Sequence, residues 1–386
     1  MRAKKILLMH ISNISGHRSA SVAIENALRS LDQNTVVKSI NGFNYTNPLA
    51  EKIINALYMI VIKNVPGLWD HLYDNENVLR KLRKARAIVH RIKERKIKKL
   101  FNTFQPDMVV CTQAFPCGMV ADYKRRHRLS IPLMGVLTDF APHSYWVDDF
   151  VDLYVVPAEK IKQSLCARGI PREKLQTLGI PIDVKFSKQT IPAQAFSKWN
   201  LKPDIPTILI MGGGQGLGPI KEIVATLNKI DQPLQLIVVC GTNKKLFKWL
   251  KKRQHMFKKR ALILGYVREV DQLMDMSCLI ITKPGGLTSA EALSKSLPII
   301  IVSPLPGQES LNTQYLLETG AALKVNTPGE LKPLVEDLLN DKDRLGGLQQ
   351  KAWSLAYAGS ALNIAKVIIE TVKKEDFTFS DAILTI

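Results

Sequence analysis

The sequence predicts an α/β protein of two doubly wound domains that face each other across a cleft. Short apolar strands alternate with helical patterns along the whole chain, the signature of parallel sheets built from βαβ units. The alternation restarts after Pro181 to Pro206, a stretch with four prolines and few periodic apolar residues. A chain of 386 residues, 46% of them hydrophobic, is too long for one ordinary core and apolar enough for two. These observations place a first domain at 1–182, a linker at 183–206 and a second domain at 207–347. A last helix, roughly Leu348 to Lys373 within 348–386, has the apolar spacing to pack on a domain.

Taken in order, the first half reads as strands at Lys5 to Ile11, Thr35 to Ile40, Asp107 to Thr112, Leu133 to Thr138, Leu153 to Pro157 and Leu175 to Leu178. The second half reads as strands at Thr207 to Met211, Leu234 to Cys240, Ala261 to Leu264, Cys278 to Thr282 and Pro298 to Val302. The opening MRAKKILLMHI lacks a small-residue cleavage site and reads as a first buried strand. No run approaches the roughly 18 to 20 apolar residues of a membrane span; Ala56 to Ile62 ends at Lys63 and is soon followed by Pro66. The expectation is a cytoplasmic protein without a spanning helix. Five dispersed cysteines, with no C-x-x-C pair, argue against disulfides and a structural zinc.

A balance of 54 Lys and Arg against 34 Asp and Glu gives +20, which calls for an anionic partner: nucleic acid, anionic lipid or nucleotide. Charge alone does not choose among them. Arg80 to Lys99 holds eleven Lys or Arg with one acid, Glu94, and Leu82, Ala85, Val89 and Ile92 recur at helical spacing. Such a helix either turns its stripe to the core and its charges to water, or lies on a membrane with the apolar, aromatic stretch Ile53 to Trp69. Lys244 to Arg260 has nine Lys or Arg and no acid, interleaved with Phe247, Trp249 and Phe257, and suits anionic lipid or nucleic acid bound by stacking.

Three strand ends carry polar turns. Lys283-Pro-Gly-Gly-Leu-Thr-Ser-Ala-Glu-Ala-Leu293 runs from a strand through a glycine turn into a helix whose backbone N–H groups can hold a diphosphate. Thr288 and Glu291 also have T-x-x-E spacing, so the alternative is a capping box that closes a helix end. Met211-Gly-Gly-Gly-Gln-Gly-Leu-Gly-Pro219 and Pro306-Gly-Gln-Glu-Ser-Leu-Asn312 follow two further strands. In the first half, Asn13-Ile-Ser-Gly-His17 opens a helix, and His17 there is either a hydrogen-bonded end residue or a general base. Thr138-Asp-Phe-Ala-Pro-His143 follows the fourth strand, with Asp139 either a helix cap, an orienting partner for His17, or a base.

Together GGGQGLGP, CGTNKKL, LGYV, ITKPGGLTSAEAL and PGQESLN resemble, in order and spacing, the family 28 glycosyltransferases, especially the diacylglycerol glycosyltransferases related to plant monogalactosyldiacylglycerol synthase. The resemblance covers most of the chain and implies the two-domain GT-B architecture. It implies an inverting transfer of a hexose from a UDP-sugar to diacylglycerol, without a metal or cofactor, by an enzyme peripheral to the inner face of the cell membrane. On the donor side it implies that Gly213, Gly214, Gln215, Lys283, Gly285, Gly286, Leu287 and Thr288 surround the diphosphate and that Glu291 accepts from the ribose. It further implies that backbone at Tyr266 and Val267 pairs with uracil and that Gln308, Glu309 and Asn312 touch the sugar.

On the acceptor side Gly16 and His17 match the end of the family's G-G-G-H loop, with Asn13, Ile14 and Ser15 where glycines are usual. Asp139, His143 and Trp146 match its T-D-x-x-x-H-x-x-W pattern, which implies His17 and Asp139 as catalytic groups and His143, Trp146 and Trp69 as acceptor contacts. The rival readings are the related transferase that adds N-acetylglucosamine to a lipid-linked peptidoglycan precursor, and a non-catalytic membrane or nucleic-acid binding protein on the same fold. The cluster at 138–146 and the aromatic basic segment favour the diacylglycerol group, the altered loop Asn13 to Ser15 favours the non-catalytic reading, and a nucleic-acid partner is not expected.

Overall fold

A computed structural model describes residues 2–12, 15–42, 45, 94–188, 193–305 and 307–383. The chain divides into two compact units, Met1–Val184 together with Gly359–Ile386, and Lys185–Ala358. Each holds, among the described residues, one six-stranded parallel sheet.

The first sheet contains β1 (Lys5–His10), β2 (Val36–Asn41), β3 (Met108–Cys111), β4 (Leu133–Val136), β5 (Leu153–Val156) and β6 (Leu175–Thr177), in the order β2-β1-β3-β4-β5-β6. Ile6 sits beside Met108 and Val37, and Val110 beside Met134. β3 and β4 are buried at every residue, which is why they read as unbroken apolar runs rather than alternating ones. The second sheet contains β7 (Thr207–Met211), β8 (Gln235–Val239), β9 (Arg260–Leu264), β10 (Leu279–Thr282), β11 (Ile299–Val302) and β12 (Ala322–Val325), in the order β12-β11-β10-β7-β8-β9. The sequence reading misses β12. It lies at the sheet edge, carries Lys324 and is buried only at its two ends, so it lacks the continuous apolar run that marks β10 and β11, which are no longer than it is.

Strand order reverses between β1 and β3 in one sheet and between β7 and β10 in the other. At such a switch point successive crossovers leave on opposite faces of the sheet, and a crevice opens beyond the carboxyl ends of the two strands. The glycine loop at 212–218 follows β7 and the turn at 283–285 follows β10, the two switch-point strands of the second sheet, and the helix Gly16–Leu31 follows β1 in the first.

The predicted last helix is two helices. Lys342–Ser354 lies in the second unit and Ser360–Ile383 in the first, and the chain breaks between them at 355–359, where Gly359 lacks the side chain that would favour helix. Ser360 accepts from the Ile182 N–H at 3.2 Å and donates to the Ile180 carbonyl at 2.8 Å, fixing the start of the second of them. From there Ala361, Ile364, Ala365, Ile368 and Val372 share a core with Ala23, Ile24, Ala27 and Leu28 of the helix Gly16–Leu31. The division between units falls at Val184, near the start of the predicted linker. Lys185 donates to the Arg268 carbonyl at 2.5 Å and pairs with Asp271 at 3.1 Å inside the second unit. Among the described residues no helix is long and apolar enough to cross a membrane.

Candidate functional site

In the first unit His17 is the second residue of the helix Gly16–Leu31, which Ser15 caps by accepting from the Arg18 N–H at 3.3 Å. Its ring is set by the ends of the two neighbouring strands. Nδ1 lies 3.0 Å from the Thr112 carbonyl, just past β3, and 2.7 Å from the Thr138 hydroxyl, just past β4. A carbonyl only accepts, so Nδ1 carries the proton and donates it there. The neutral ring therefore keeps its lone pair on Nε2. Thr112 returns a bond from its hydroxyl to the His17 carbonyl at 2.8 Å, so ring and backbone are held by the same residue. Burial lowers the His17 pKa to about 4, with the Thr112 bond opposing and the charge of His10 adding to the fall.

The orienting role expected of Asp139 falls, at Nδ1, to Thr112 and Thr138. Both are neutral and neither stabilises an imidazolium as a carboxylate does, in keeping with the low pKa. Asp139 itself is half-buried next to Thr138. Thr112 escaped the sequence reading because its role depends on contact with a residue 95 positions away; its only local mark is being the first polar residue after a fully apolar strand.

His143 is held in the opposite tautomer. The Tyr145 N–H donates to its Nδ1 at 3.1 Å, so the neutral ring carries its proton on Nε2, and it stacks on the Tyr145 ring at 4.7 Å and 4°. Trp146, expected among the acceptor contacts, is only 7% exposed. Its ring lies against β4, 3.2 Å from where a side chain on Gly135 would begin, and its carbonyl accepts from the Tyr154 hydroxyl at 2.6 Å. It braces the loop from below. Gly16 is exposed at the helix start. Asn13, Ile14, Trp69 and the stretch Ile53 to Trp69 lie outside the described residues, as does most of Arg80 to Lys99. The described end of that basic segment, from residue 94, is helical and buries Ile97 and Leu100, while Glu94 accepts from Arg126 at 2.6 Å.

In the second unit the loop after β7 folds against the loop after β8. Gly214 accepts from the Thr242 N–H at 2.9 Å, and Gly216 accepts from the Asn243 side chain at 3.1 Å. The approach is so close that a Cβ on Gly216 would fall 2.0 Å from the Cys240 carbonyl and one on Gly241 2.4 Å from the Gly214 carbonyl. Both residues also have positive φ, +59° and +55°. Gly214 and Gln215 are left exposed at the tip.

Helix Gly286–Ser294 begins just past β10. Its N-cap is Gly285, which makes no side-chain cap bond, and Ser289 is the first residue to donate back, to the Gly285 carbonyl at 2.9 Å. Thr288 is therefore inside the first turn, and the capping-box alternative is excluded. The N–H groups of Gly286, Leu287 and Thr288 have no partner within the helix, and the positive end of its dipole lies there. Lys283 lies over the other glycine loop: a Cβ on Gly213 would sit 3.2 Å from its Cε, and its Nζ is 4.0 Å from the same point on Gly285.

Lys283 is paired with Glu309, whose other oxygen accepts from the Leu305 N–H at 2.9 Å. Glu309 and Gln308 open the helix Gln308–Glu318. Asn312 is fully buried and donates to the Pro284 carbonyl at 3.0 Å, so it shapes the turn before Gly285 instead of presenting its amide outward. Tyr266, 67% exposed, and Val267 follow β9; Glu291 lies in the second turn of Gly286–Ser294, half-buried.

The second unit thus brings a cation, a helix start and an exposed glycine tip to one switch point, and the first brings a neutral imidazole to another. With two Rossmann-like domains, this is the GT-B class of glycosyltransferase. The pattern of the monogalactosyldiacylglycerol synthase family matches residues 17–182, and that of the glycosyltransferase family 28 C-terminal domain matches residues 207–370. The processive diacylglycerol beta-glucosyltransferase of Bacillus subtilis (strain 168) is 31% identical over 374 residues, 96% of this chain and 95% of that one. MurG of Acinetobacter baumannii shares the fold at a TM-score of 0.61 and 14% identity, over 95% of this chain and 100% of that one. HepE of Anabaena, solved with UDP-glucose, does so at 0.57 and 15%, over 96% and 99%. The chain belongs to the family 28 glycosyltransferases, with the processive diacylglycerol beta-glucosyltransferases.

Proposed function

We propose that the enzyme moves a hexose from a UDP-sugar to the hydroxyl of diacylglycerol, with inversion, making a membrane glycolipid. The carrying observation is the His17 tautomer: a neutral ring with its lone pair on Nε2, at the switch point of the acceptor-side domain. As the acceptor oxygen bonds to the anomeric carbon, its proton passes to Nε2. The bond from that carbon to the diphosphate breaks, and its electron pair stays on the UDP oxygen. The N–H groups at the start of Gly286–Ser294 take up that charge, and Lys283 adds a full positive charge once it leaves Glu309. In this reading Glu291 accepts from the ribose, Tyr266 and Val267 hold uracil through their backbone, Gln308 and Glu309 meet the sugar, and no metal is needed.

His143, with its proton on Nε2, donates to the acceptor, and Asp139, next to Thr138 in the chain, is the second candidate for the base. The protein meets the acceptor at the inner face of the cell membrane, drawn to anionic lipid by its charge of +20.

The test is UDP release and mass analysis of product with UDP-glucose and UDP-galactose as donors and diacylglycerol as acceptor, with and without EDTA. A glycosylated diacylglycerol formed in both conditions is the expected result. Activity only on a lipid-linked peptidoglycan precursor with UDP-N-acetylglucosamine overturns the acceptor, and loss in EDTA with rescue by magnesium or manganese overturns the metal-free donor site.

A further inference from the structure

The helix Lys244–Arg253 carries a strongly charged face that none of this chemistry uses. At about 100° per residue, Lys244, Lys245, Lys248, Lys251 and Lys252 fall within an arc of roughly 120°, centred opposite Leu246 and Leu250. The two leucines are buried in the second core and all five lysines are exposed. Lys251 donates to Gln254 at 3.2 Å, and among the described residues none of the five meets a carboxylate. The sequence from Lys244 to Arg260 contains no acid at all. Like charges at i and i+4, as in Lys244, Lys248 and Lys252, disfavour a helix, so the face is stable chiefly through its buried side and is relieved only by an external anion. The helix ends in the turn Gln254–Met256, where Met256 is 66% exposed.

We propose that this face is a docking surface for an anionic phospholipid bilayer, carried by the nucleotide-binding domain itself. A bilayer is the occupant that fits both parts, because it offers a plane of phosphates to the lysines and hydrocarbon to the exposed methionine in the turn that follows them. Single-stranded nucleic acid fits less well, since stacking needs open rings. Phe247, Trp249 and Phe257 pack against the core, and the Trp249 ring already holds Lys221 at 4.8 Å and Arg253 at 4.4 Å. The inference rests on the reading of the enzyme as one that works on a lipid acceptor, but its test stands apart from that reading.

The test is flotation of the full chain with vesicles of phosphatidylglycerol and phosphatidylcholine, and with phosphatidylcholine alone, across a salt series. The comparison is with a variant in which Lys244, Lys245, Lys248, Lys251 and Lys252 are all changed to Gln. Each charge near an anionic surface is worth about a fivefold change in partitioning, so the variant should bind at least a hundredfold more weakly at low salt. The same five changed to Arg should bind as the wild type does, which separates charge from folding. Binding unchanged by the Gln substitutions, or insensitive to salt, overturns the proposal. So does tight retention of single-stranded DNA that the Gln variant loses while its vesicle binding stays. Transfer to diacylglycerol in neutral detergent micelles should be the same in both proteins; its absence from the wild type overturns the proposed reaction and leaves the flotation result to stand or fall alone.

Discussion

Lys283 and Glu309 form an ion pair between the loop after β10 and the first turn of the helix that follows β11. The pair neutralises the lysine that lies over the glycine loop, so a diphosphate competes with a built-in carboxylate for it. Lys283→Ala should weaken UDP binding about ten- to a hundredfold, the range for a hydrogen bond to a charged group. Glu309→Gln should leave UDP binding equal or tighter while turnover of the UDP-sugar falls. Calorimetric titration with UDP decides it: equal weakening in both variants makes the pair a purely structural brace.

Glu291→Ala should cost about 1 to 3 kcal/mol of UDP affinity, the penalty for losing a buried hydrogen bond to ribose. Because Gly285 is the N-cap, a capping defect no longer explains such a loss. UDP binding that is unchanged in the folded variant removes Glu291 from the ribose site.

His17→Ala should lower turnover roughly a hundredfold to ten-thousandfold, the contribution of a general base, with UDP affinity intact. The pH profile gives a second check. Since the pKa of His17 is lowered to about 4, the base form persists well below the usual histidine range, and the acid limb of activity due to this residue should lie near pH 4. For stability, the unfolded chain binds the proton between about pH 6.5 and pH 4 while the folded one does not. The stabilisation is therefore full above pH 6.5 and is lost as the pH falls towards 4. Thermal denaturation of His17→Gln across that window should show a shallower dependence than the wild type, and an identical slope rules out the residue as a contributor.

Gly241→Ala should lower the melting temperature and UDP affinity together. The new Cβ meets the Gly214 carbonyl at 2.4 Å with the backbone at φ +55°, so either strain of about 1 to 3 kcal/mol is kept or the glycine loop moves away. Calorimetry and UDP titration on the same sample check both; an unshifted melting temperature shows that the two loops are not clamped as described.

The two-sheet fold was legible because parallel strands buried on both faces read as apolar runs, as in Thr207 to Met211 and Leu133 to Val136, and because glycine turns punctuate them. What sequence did not show is what depends on distant partners. The cation at Lys283 was visible, but its pairing with Glu309, 26 residues on, was not. The imidazole of His17 was visible, but not Thr112, which selects its tautomer. Thr288 and Glu291 show the limit of a local motif: the spacing was present, yet the helix starts at Gly286, three residues too early for a box. Trp146 and Asn312 had polar neighbours in sequence, and only packing reveals that both are buried supports.

The return of Ser360–Ile383 to the first unit bears on how this protein is made. Residues 361–372 complete the core around Ala23, Ile24, Ala27 and Leu28, yet they leave the ribosome only after the whole of the other unit. The second unit, contiguous in sequence, can therefore fold as it is synthesised, whereas the core of the unit begun first is incomplete until translation has passed residue 372. Order of synthesis and order of folding are reversed, and a ribosome stalled inside the second unit holds a chain whose earlier half is still open to aggregation.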